Sequence, residues 1–419
     1  MKKKLLIISM DAMVFEDLEY ASTFPIFKDL MDRGALVKRV RSIYPSLTYP
    51  CHVAMISGCY PERSGVINNY AQVPGADPEV WNFFHDIVKV DDLMDAAHRA
   101  GYSTASVSWP VSGNHRSIDY LVDEIWAYTD DPEDFKKAYL ASGTDLKLFE
   151  ELVEKWVPLR MKRSQPGTGQ FSTHVAAGIL RKYAPDVMAV HLAPIDTFRH
   201  EAGVFSEKAR EGVAYTAEML QEILDAVKAG GNYDCTDIII TSDHGQIDTD
   251  RAVCPNTLLK DAGYITLNPD GSVHSYRAWA FSAGASAQVL VTDPSIKEDV
   301  YALFSSRLGT DCGYRAVFRK EELASEHYDG NFDFILETDG HSCFKESLNK
   351  GYFYQKTGGS HGHHPDTGPS PFLLACGPDF KGGAVLKEAR LVDPPVTYAE
   401  ILGLRLPQAQ GRVLTEILK

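Results

Sequence analysis

The feature that most constrains the fold is the alternation of short apolar runs with helical patterns along the chain. The runs at residues 5–9, 103–108, 187–192 and 238–240 predict buried strands. Helical patterns at residues 25–33, 91–99 and 206–227 lie between or beside them, each followed closely by a glycine. Strands that alternate with helices imply parallel β-α-β units. We therefore expect an α/β fold with a mostly parallel sheet that helices cover on both faces.

Two stretches interrupt this alternation. Residues 112–172 are polar and helical in pattern, and residues 256–350 contain alternating segments such as 286–292, which are typical of antiparallel strands. A length of 419 residues corresponds to two to three domains at roughly 150 residues each. We interpret the chain as one α/β catalytic core, residues 1–255 and 351–419, with a polar insertion at about 112–172 and a smaller α+β cap subdomain at 256–350.

Composition excludes several classes of protein. The 57 acidic and 42 basic residues give a net charge of −15, which argues against a nucleic-acid polymer as partner. No apolar run approaches the ~20 residues that cross a membrane, so we expect no membrane partner. The lysines at positions 2–4 precede an apolar run that ends at Ser9, short of the ~7–15 residues of a signal-peptide core. The seven cysteines are scattered and form no Cys-x-x-Cys pair, so we expect a cytoplasmic protein with reduced thiols.

Chemically active side chains stand where the first predicted strand ends and where one helix begins. Asp11 closely follows the first strand, and Thr48 precedes the helical pattern around Val53 and Ile56. A helix N-terminus presents free N–H groups, which suit an anion or an activated alkoxide. Each residue also has a simpler interpretation as an ordinary helix N-cap, and the sequence leaves both interpretations open.

Two further segments carry residue types that bind metals. Asp196 and His200 are four residues apart after the strand at 187–192, a spacing that brings an oxygen and an imidazole to one side of a helical turn. A capping aspartate and a solvent-facing histidine are the alternative for this pair. Asp243 and His244 follow the strand at 238–240, and Gly245 would permit a sharp turn there.

A histidine-rich segment lies far along the chain, at residues 359–364. It places His361, His363 and His364 within four positions between glycines, which favours metal binding. Together these segments supply three carboxylates, three or more imidazoles and a hydroxyl. Three ligands for each of two metals would leave positions open for substrate, as in a catalytic zinc centre. Mn²⁺ or Fe also suits ligands of this kind.

The ordered set of segments resembles the alkaline phosphatase superfamily, and within it the nucleotide pyrophosphatase/phosphodiesterase (type I phosphodiesterase) family. The resemblance runs from the first strand to the C-terminus. It rests on the segments 45–52, 57–61, 64–69, 108–110, 194–200, 242–245, 359–362 and 392–396. It implies an alkaline-phosphatase-like three-layer α/β/α sandwich with a mostly parallel central sheet and a smaller α+β insertion.

The resemblance also implies a role for each candidate residue. Thr48 would be the nucleophile, and Asn69 would donate a hydrogen bond to a phosphoryl oxygen. Tyr49 matches an aromatic position that stacks on the organic group of the substrate. The ligands of two zinc ions would be Asp11, Asp243 and His244 with the Thr48 oxygen for one ion, and Asp196, His200 and His361 for the other.

The implied function is that of a zinc-dependent hydrolase. It would cleave phosphodiester or pyrophosphate bonds of nucleotides or related small molecules through a phospho-threonine intermediate. A phosphomonoesterase or phosphonate hydrolase on the same two-metal scaffold is one alternative, and a non-catalytic metal- or ligand-binding homologue is another. Monoesterases of the superfamily commonly add a cationic clamp or a third metal. No motif in this sequence supplies either, which favours a diester.

Three positions depart from the family's pattern. Cys51 stands where an asparagine is usual, and Ala193 stands where an acidic residue is frequent. His191 stands where many nucleotide-cleaving members have an aromatic residue. The metal ligands match the family, whereas the nucleoside pocket departs from it, so a lipid-like or phosphonate ester stays open as the substrate.

Overall fold

The computed structural model describes residues 2–127, 129 and 131–419, and it is built around one large sheet. The strands, in chain order, are β1 Lys4–Met10, β2 Ala35–Arg41, β3 Thr104–Val107, β4 Tyr120–Val122, β5 Val187–Leu192, β6 Thr236–Thr241, β7 Ile247–Val253, β8 Ile265–Leu267, β9 Val273–Tyr276, β10 Ala278–Ala283, β11 Ser286–Val291, β12 Tyr314–Arg319, β13 Phe334–Thr338, β14 Ser342–Phe344, β15 Phe353–Ser360, β16 Leu373–Cys376 and β17 Val385–Arg390. The α-helices, in chain order, are α1 Asp17–Ala21, α2 Pro25–Arg33, α3 Thr48–Ser57, α4 Pro61–Ser64, α5 Leu93–Arg99, α6 Pro132–Ala141, α7 Leu146–Leu148, α8 Val157–Met161, α9 Gly167–Tyr183, α10 Pro194–Ala202, α11 Glu207–Ala229, α12 Pro255–Asp261, α13 Lys297–Ser305 and α14 Asp393–Leu402.

Eight strands form the central sheet, in the order β17-β2-β16-β6-β1-β5-β3-β4. Strand β16 runs antiparallel to both of its neighbours, and the other pairs are parallel. The mostly parallel sheet that the sequence predicts is therefore confirmed. The predicted strand ends agree with the observed ones to within one or two residues.

Both faces of the sheet are buried under helices, which makes a three-layer α/β/α sandwich. On β1, Leu6 and Ile8 join an apolar core with α9 and α11 on one face. Leu5 and Ile7 join a second core with α3, α5 and α14 on the opposite face. Side chains alternate between the faces of a strand, so a strand buried on both sides needs an almost continuous apolar run. Each such side chain stabilises the fold by about 1.5–3 kcal/mol.

Capping residues set the starts of the helices. Helix α11 begins directly after Ser206, whose hydroxyl accepts an N–H of the first turn, as the sequence predicts. Helix α5 begins two residues later than predicted, because Asp92 is its N-cap. The Asp92 carboxylate accepts the N–H groups of Met94 and Asp95, and the Asp95 carboxylate accepts the N–H of Asp92 in return.

Residues 256–350 contain an antiparallel sheet of their own, β10-β11-β13-β12. Helix α12 packs on β10 and α13 on β12, around a separate apolar core that includes Trp279 and Phe334. Strand β7 pairs with β14 from this region and with β15, which leads the chain back to the central layers. Residues 112–172 hold α6, α7, α8 and the start of α9. None of the described helices has the length and apolar character needed to span a membrane.

Candidate metal centre and active site

The C-terminal ends of three neighbouring parallel strands meet at one edge of the central sheet. Strands β6, β1 and β5 are adjacent, and an aspartate lies just beyond each of them: Asp243, Asp11 and Asp196. Ligands bind at this edge in open parallel sheets, because the strand ends and the helix N-termini converge there. A cavity of about 370 Å³ opens at this edge, and Asp11, Thr48 and Asp196 line it.

Thr48 does not cap a helix. It is the first residue of α3, the N-cap position is Leu47, and no side chain caps this helix. The Thr48 Oγ1 instead lies 3.1 Å from His244 Nε2. The capping interpretation of Thr48 is therefore wrong, and its hydroxyl lies in the cavity wall beside a candidate metal ligand.

The first group of candidate ligands surrounds Thr48. His244 Nε2 lies 3.1 Å from Asp243 Oδ2 and 3.5 Å from Asp11 Oδ1. Both of these carboxylate oxygens are buried and have no hydrogen-bond partner among the described residues. A buried polar atom without a partner is unfavourable, and a cation between the two oxygens would satisfy both.

The second group consists of Asp196, His200 and His361. Asp196 Oδ1 lies 3.4 Å from His200 Nε2 and 3.7 Å from His361 Nε2. The His200 Nδ1 donates to the Gly359 carbonyl at 2.8 Å, and the His361 Nδ1 donates to the Ser46 carbonyl at 3.2 Å. A carbonyl can only accept, so each Nδ1 carries a proton, and in the neutral imidazole each Nε2 then offers its lone pair to a metal.

The electrostatics of the centre also favours bound cations. Burial, followed by the charges of Asp196 and Asp243, raises the pKa of Asp11 well above its usual value. Burial raises the pKa of Asp243 to about 6 and lowers the pKa of His244 to about 3. Crowded carboxylates beside a neutral imidazole form a donor set that suits a divalent metal, whose charge would let the carboxylates ionise together. Candidate ligand atoms of Asp196, His200 and His361 lie within 4.8 Å of one another, and so do those of Asp11, Asp196 and His244. The residues present therefore fit a metal centre at this edge, although the second set contains Asp196 where the sequence predicts Asp243.

Two glycines let the chain pass close to the centre. Gly362 directly follows His361 with a φ of +95°, and a Cβ there would lie 1.8 Å from the Ala283 carbonyl oxygen. A Cβ on Gly245 would lie 2.1 Å from the Pro369 carbonyl oxygen. The sequence predicts that Gly245 permits a sharp turn, but its φ is not positive. What Gly245 provides is space for the neighbouring backbone.

A buried ion pair fixes the segment that carries Asp196 and His200. Arg199 lies between them in α10 and is fully buried. Its Nη2 donates to both carboxylate oxygens of Asp17, at 2.7 and 2.8 Å, and its Nη1 donates to the Ala12 carbonyl. This bidentate pair ties α10 to the chain that follows β1, so the candidate ligands on these two segments keep a fixed separation.

Asn69 and Tyr49 lie together in the cavity wall beside Thr48. The Tyr49 N–H donates to Asn69 Oδ1 at 2.9 Å. An N–H can only donate, so this contact sets the orientation of the amide and directs the Asn69 Nδ2 to another acceptor. The Tyr49 ring packs against Trp81 with ring centroids 5.3 Å apart, and Trp126 extends this aromatic wall.

The cavity is also lined by four cationic side chains that no motif in the sequence predicts: Arg160, Arg163, Lys345 and Lys356. Arg160 comes from α8 and Arg163 from the segment after it, whereas Lys345 follows β14 and Lys356 lies in β15. Only the tertiary fold brings these segments together, so local patterns carry no signal for them. The cavity therefore combines a hydroxyl, aromatic rings and positive charge.

His191 and Gln246 contact the candidate ligands, although neither stands at a sequence spacing that would predict a metal site. His191 Nε2 lies 3.0 Å from Asp11 Oδ2, and the side-chain amide of Gln246 donates to Asp196 Oδ1. His191 on β5 pairs in register with Ser9 on β1, two residues before Asp11. Strand register is thus the signal that could have found His191.

His363 and His364 do not join the centre. His363 is buried, and this burial lowers its pKa to about 3. His364 Nε2 lies 3.3 Å from Glu326 Oε1, and its ring packs against Tyr44. Neither histidine lines the cavity. Within the described chain, His361 is therefore the one member of the histidine-rich segment that lies among the candidate metal ligands.

Comparison with known proteins agrees with this geometry. The family model for type I phosphodiesterase/nucleotide pyrophosphatase matches residues 5–365. Bis(5'-adenosyl)-triphosphatase ENPP4 of Bos taurus is 24% identical over 427 residues, which cover 96% of this chain and 78% of the relative. Human ectonucleotide pyrophosphatase/phosphodiesterase family member 1 is 22% identical over 246 residues, which cover 57% of this chain and 23% of the relative.

Solved structures share the fold over the whole chain. Murine ectonucleotide pyrophosphatase/phosphodiesterase 5, in an inactive form in complex with AMP, matches with a TM-score of 0.72 at 18% identity and covers 100% of both chains. The human form of the same protein matches with a TM-score of 0.71 at 17% identity. The predicted alkaline-phosphatase-like fold is thereby confirmed, and so is the prediction of an enzyme that hydrolyses phosphorus esters. The chain belongs to the type I phosphodiesterase/nucleotide pyrophosphatase family.

Proposed function

We propose that the chain hydrolyses phosphodiester or pyrophosphate bonds in small nucleotide-like molecules, with Thr48 as nucleophile and two Zn²⁺ ions as cofactors. The observation that carries the proposal is the position of Thr48 Oγ1, 3.1 Å from His244 Nε2 in a cavity wall shared with Asp11 and Asp196. The names of the relatives support a nucleotide as substrate, since one is a bis(5'-adenosyl)-triphosphatase and one structural neighbour is in complex with AMP.

The carboxylates and imidazoles of the centre would hold the cofactors. Asp11, Asp243 and His244 would hold one cation beside Thr48, and Asp196, His200 and His361 would hold the other. Carboxylate oxygens and neutral imidazole nitrogens suit Zn²⁺, with Mn²⁺ and Fe as alternatives. When bound, the cations supply positive charge that favours the ionised Thr48 oxygen and the oxygen of the leaving group.

Thr48 would react in two steps. Its Oγ1 loses its proton and forms a bond to phosphorus while the bond from phosphorus to the leaving alcohol or phosphate breaks. This gives a phospho-threonine, and the leaving group departs with the proton. Water then attacks the same phosphorus, the bond to Oγ1 breaks, and Thr48 regains its proton. Thr48 stands in the first turn of α3, so the positive end of this helix also faces the phosphoryl group.

The side chains around Thr48 would orient the substrate. Asn69 Oδ1 accepts the Tyr49 N–H, so its Nδ2 is directed to a non-bridging phosphoryl oxygen. Tyr49 and Trp81 offer ring surface to a nucleobase or another planar group. Lys356 in the cavity wall offers positive charge to a second phosphate, which favours pyrophosphate substrates among the diesters.

A comparison of three substrates tests the proposal. The zinc-loaded protein is assayed with bis-p-nitrophenyl phosphate, the p-nitrophenyl ester of thymidine 5'-monophosphate, and p-nitrophenyl phosphate. We expect kcat/KM for both diesters to exceed that for the monoester by at least about tenfold, with the thymidine ester fastest because its base meets the aromatic wall. Mass spectrometry of the quenched reaction should find a phosphoryl group on the peptide that contains Thr48. A preference for the monoester would contradict the proposal.

The cationic lining favours phosphomonoester hydrolysis as a second candidate function. A monoester carries one more negative charge than a diester, and Lys345 and Lys356 form no ion pair with any described carboxylate while they line the cavity. Lys356→Ala separates the two candidates. A monoesterase should lose more kcat/KM on the monoester than on the diester, whereas a diesterase should lose most on substrates with a second phosphate.

A further inference from the structure

The buried imidazole of His191 links Asp11 to the wall of the cavity. Its Nε2 lies 3.0 Å from Asp11 Oδ2. Its Nδ1 lies 3.2 Å from the Ser108 carbonyl oxygen and 3.5 Å from Glu124 Oε1. The side chain is only 2% exposed. Both ring nitrogens therefore contact other segments of the chain, and Glu124 belongs to the cavity wall.

The two carboxylate oxygens of Asp11 have different surroundings. Oδ2 contacts His191, whereas Oδ1 has no hydrogen-bond partner among the described residues and lies 3.5 Å from His244 Nε2. The torsion that turns an aspartate carboxylate is broad, so the group rotates easily when neither oxygen is held. A hydrogen bond to Oδ2 thus also sets the direction of Oδ1. His191 determines which oxygen of Asp11 faces the centre.

The backbone around His191 is itself held in place. Ser108, whose carbonyl faces the His191 Nδ1, has a φ of +54°, which is uncommon for a residue with a side chain. Such a conformation persists only where the surrounding structure enforces it. The Ser108 hydroxyl contacts Ser172 Oγ at 2.8 Å, which anchors this residue to α9. The imidazole is therefore held at a fixed angle to Asp11.

We propose that His191, held by Ser108 and Glu124, is a positioning residue that orients Asp11 toward the cation beside Thr48. The inference rests on the proposed function in one respect, that a divalent cation occupies the centre. An aromatic ring without nitrogen at this position would fill the same space but would leave Asp11 Oδ2 without a donor. Residues that hold a metal ligand in this way typically change metal affinity by about 10–100-fold when they are replaced.

Cation affinity, measured without turnover, tests this inference. The metal-free protein is titrated with Zn²⁺ in competition with a chromophoric chelator, which gives both the number of bound ions and their affinities. We expect the wild-type protein to bind two ions, and His191→Phe to bind one of them about 10–100-fold more weakly while the other is unchanged. His191→Gln keeps an N–H donor and should recover part of the lost affinity.

His85→Phe is the matched control, because it makes the same histidine-to-phenylalanine change at a partly buried position outside the centre. It should leave the affinities for both Zn²⁺ ions unchanged. Unchanged affinities in His191→Phe would overturn the inference, and so would an equal weakening in His191→Phe and His191→Gln. Melting temperatures of the metal-free variants show whether each one folds. If His191→Phe does not fold, Glu124→Gln decides: the same ion should bind more weakly, and an unchanged affinity overturns the inference.

The outcome for the wild-type protein separates this inference from the proposed function. A wild-type chain that binds two ions, with His191→Phe unaffected, refutes the role of His191 alone. A wild-type chain that binds no Zn²⁺ refutes the proposed zinc centre, and the role of His191 with it.

Discussion

Two clusters of histidine and aspartate in this molecule differ in what they can bind. The metal centre comprises Asp11, Thr48, Asp196, His200, Asp243, His244 and His361, and the helix-cap cluster comprises His85, Asp92, Asp95 and His115 at the start of α5. Candidate ligand atoms lie within 4.8 Å of one another in the helix-cap cluster and in two subsets of the metal centre, which are Asp196, His200 and His361, and Asp11, Asp196 and His244. Two imidazole rings approach closely in both, with centroids 3.9 Å apart for His244 and His361 and 3.8 Å apart for His85 and His115. Residue type and proximity therefore do not distinguish the two clusters.

The hydrogen bonds of Nδ1 distinguish His115 of the helix-cap cluster from His200 of the metal centre. His115 Nδ1 accepts the Ser117 N–H at 3.1 Å, so its Nε2 carries the proton and donates to Asp92 Oδ2 at 3.0 Å. His200 Nδ1 donates to a backbone carbonyl, so its Nε2 keeps a lone pair. Asp92 Oδ1 accepts N–H groups of α5, whereas Asp11 Oδ1 has no described partner. The chain satisfies both oxygens of the Asp92 carboxylate, although His85 Nε2 has no hydrogen-bond partner among the described residues, and it leaves one carboxylate oxygen each of Asp11 and Asp243 unpartnered.

Removal of Thr48, the proposed nucleophile, should have the largest effect of any single change. Thr48→Ala removes the attacking oxygen and leaves the carboxylate and imidazole ligands in place, so we expect kcat to fall by at least about 10³-fold while zinc binding persists. Steady-state kinetics on a diester measures this. Asp95→Asn in the helix-cap cluster is the control and should keep kcat. Full activity in Thr48→Ala would show that hydrolysis does not use this hydroxyl and would contradict the proposed phospho-threonine intermediate.

Replacement of a histidine in each cluster sharpens the comparison. His361→Ala should lower the affinity for one of the two zinc ions by more than about 100-fold. The change removes a candidate ligand itself, whereas His191 only orients one. His85→Ala should leave the zinc content unchanged. Elemental analysis of the purified variants after dialysis gives the number of ions per chain. A loss of zinc in His85→Ala would show that the helix-cap cluster also binds a cation, and the distinction based on the ring nitrogens would fail.

Local patterns in the sequence predict the strands that carry the metal centre. Strands β1, β5 and β6 are buried on both faces, so they are continuous apolar runs that can be recognised one at a time. A residue just beyond such a strand must lie at the edge of the sheet. Asp11, Asp196 and Asp243 could therefore be placed at one edge without knowledge of the strand order.

The cavity walls could not be predicted in the same way. Arg160 and Lys356 come from α8 and β15, and only the packing of these segments makes them neighbours of Thr48. The proton positions on His200 and His361 likewise depend on carbonyls that the fold brings to them. The division into a core with two insertions, the cytoplasmic location and the identity of the metal stay predictions.

The helix-cap cluster should matter for stability, in contrast to the metal centre. Asp92→Ala removes the N-cap of α5 and the partner of His115, so we expect the free energy of unfolding to fall by about 2–3 kcal/mol. Zinc content and kcat of the folded variant should be unchanged. Urea unfolding monitored by circular dichroism measures the effect. A drop in zinc affinity with no loss of stability would reverse the roles of the two clusters.

The smallest expected effect is the pH dependence of the stabilisation that Asp92 provides. It shows whether hydrogen bonds from the chain or a bound cation stabilise the ionised Asp92 carboxylate. Burial alone would raise the pKa of Asp92, but electrostatic attraction to His115 and its hydrogen bond outweigh burial and hold the pKa below its usual range. A depressed pKa means that the folded state favours the ionised carboxylate. The stabilisation is therefore complete above the unfolded pKa of about 4, and it is lost as the pH falls through the folded pKa.

We expect the difference in unfolding free energy between the wild type and Asp92→Asn to be greatest near pH 5. It should shrink below about pH 4, and it should also fall as the pH rises above about 6.5, because Asp92 raises the pKa of His115. Urea titrations at these pH values, each with and without a chelator, measure it. Chelation should leave the difference unchanged, because hydrogen bonds from the chain already satisfy Asp92. A difference that shrinks on chelation at pH 7 would mean that a cation holds the Asp92 charge. The hydrogen-bond partner of the histidine Nδ1 would then no longer distinguish a metal-binding histidine from a structural one in this fold.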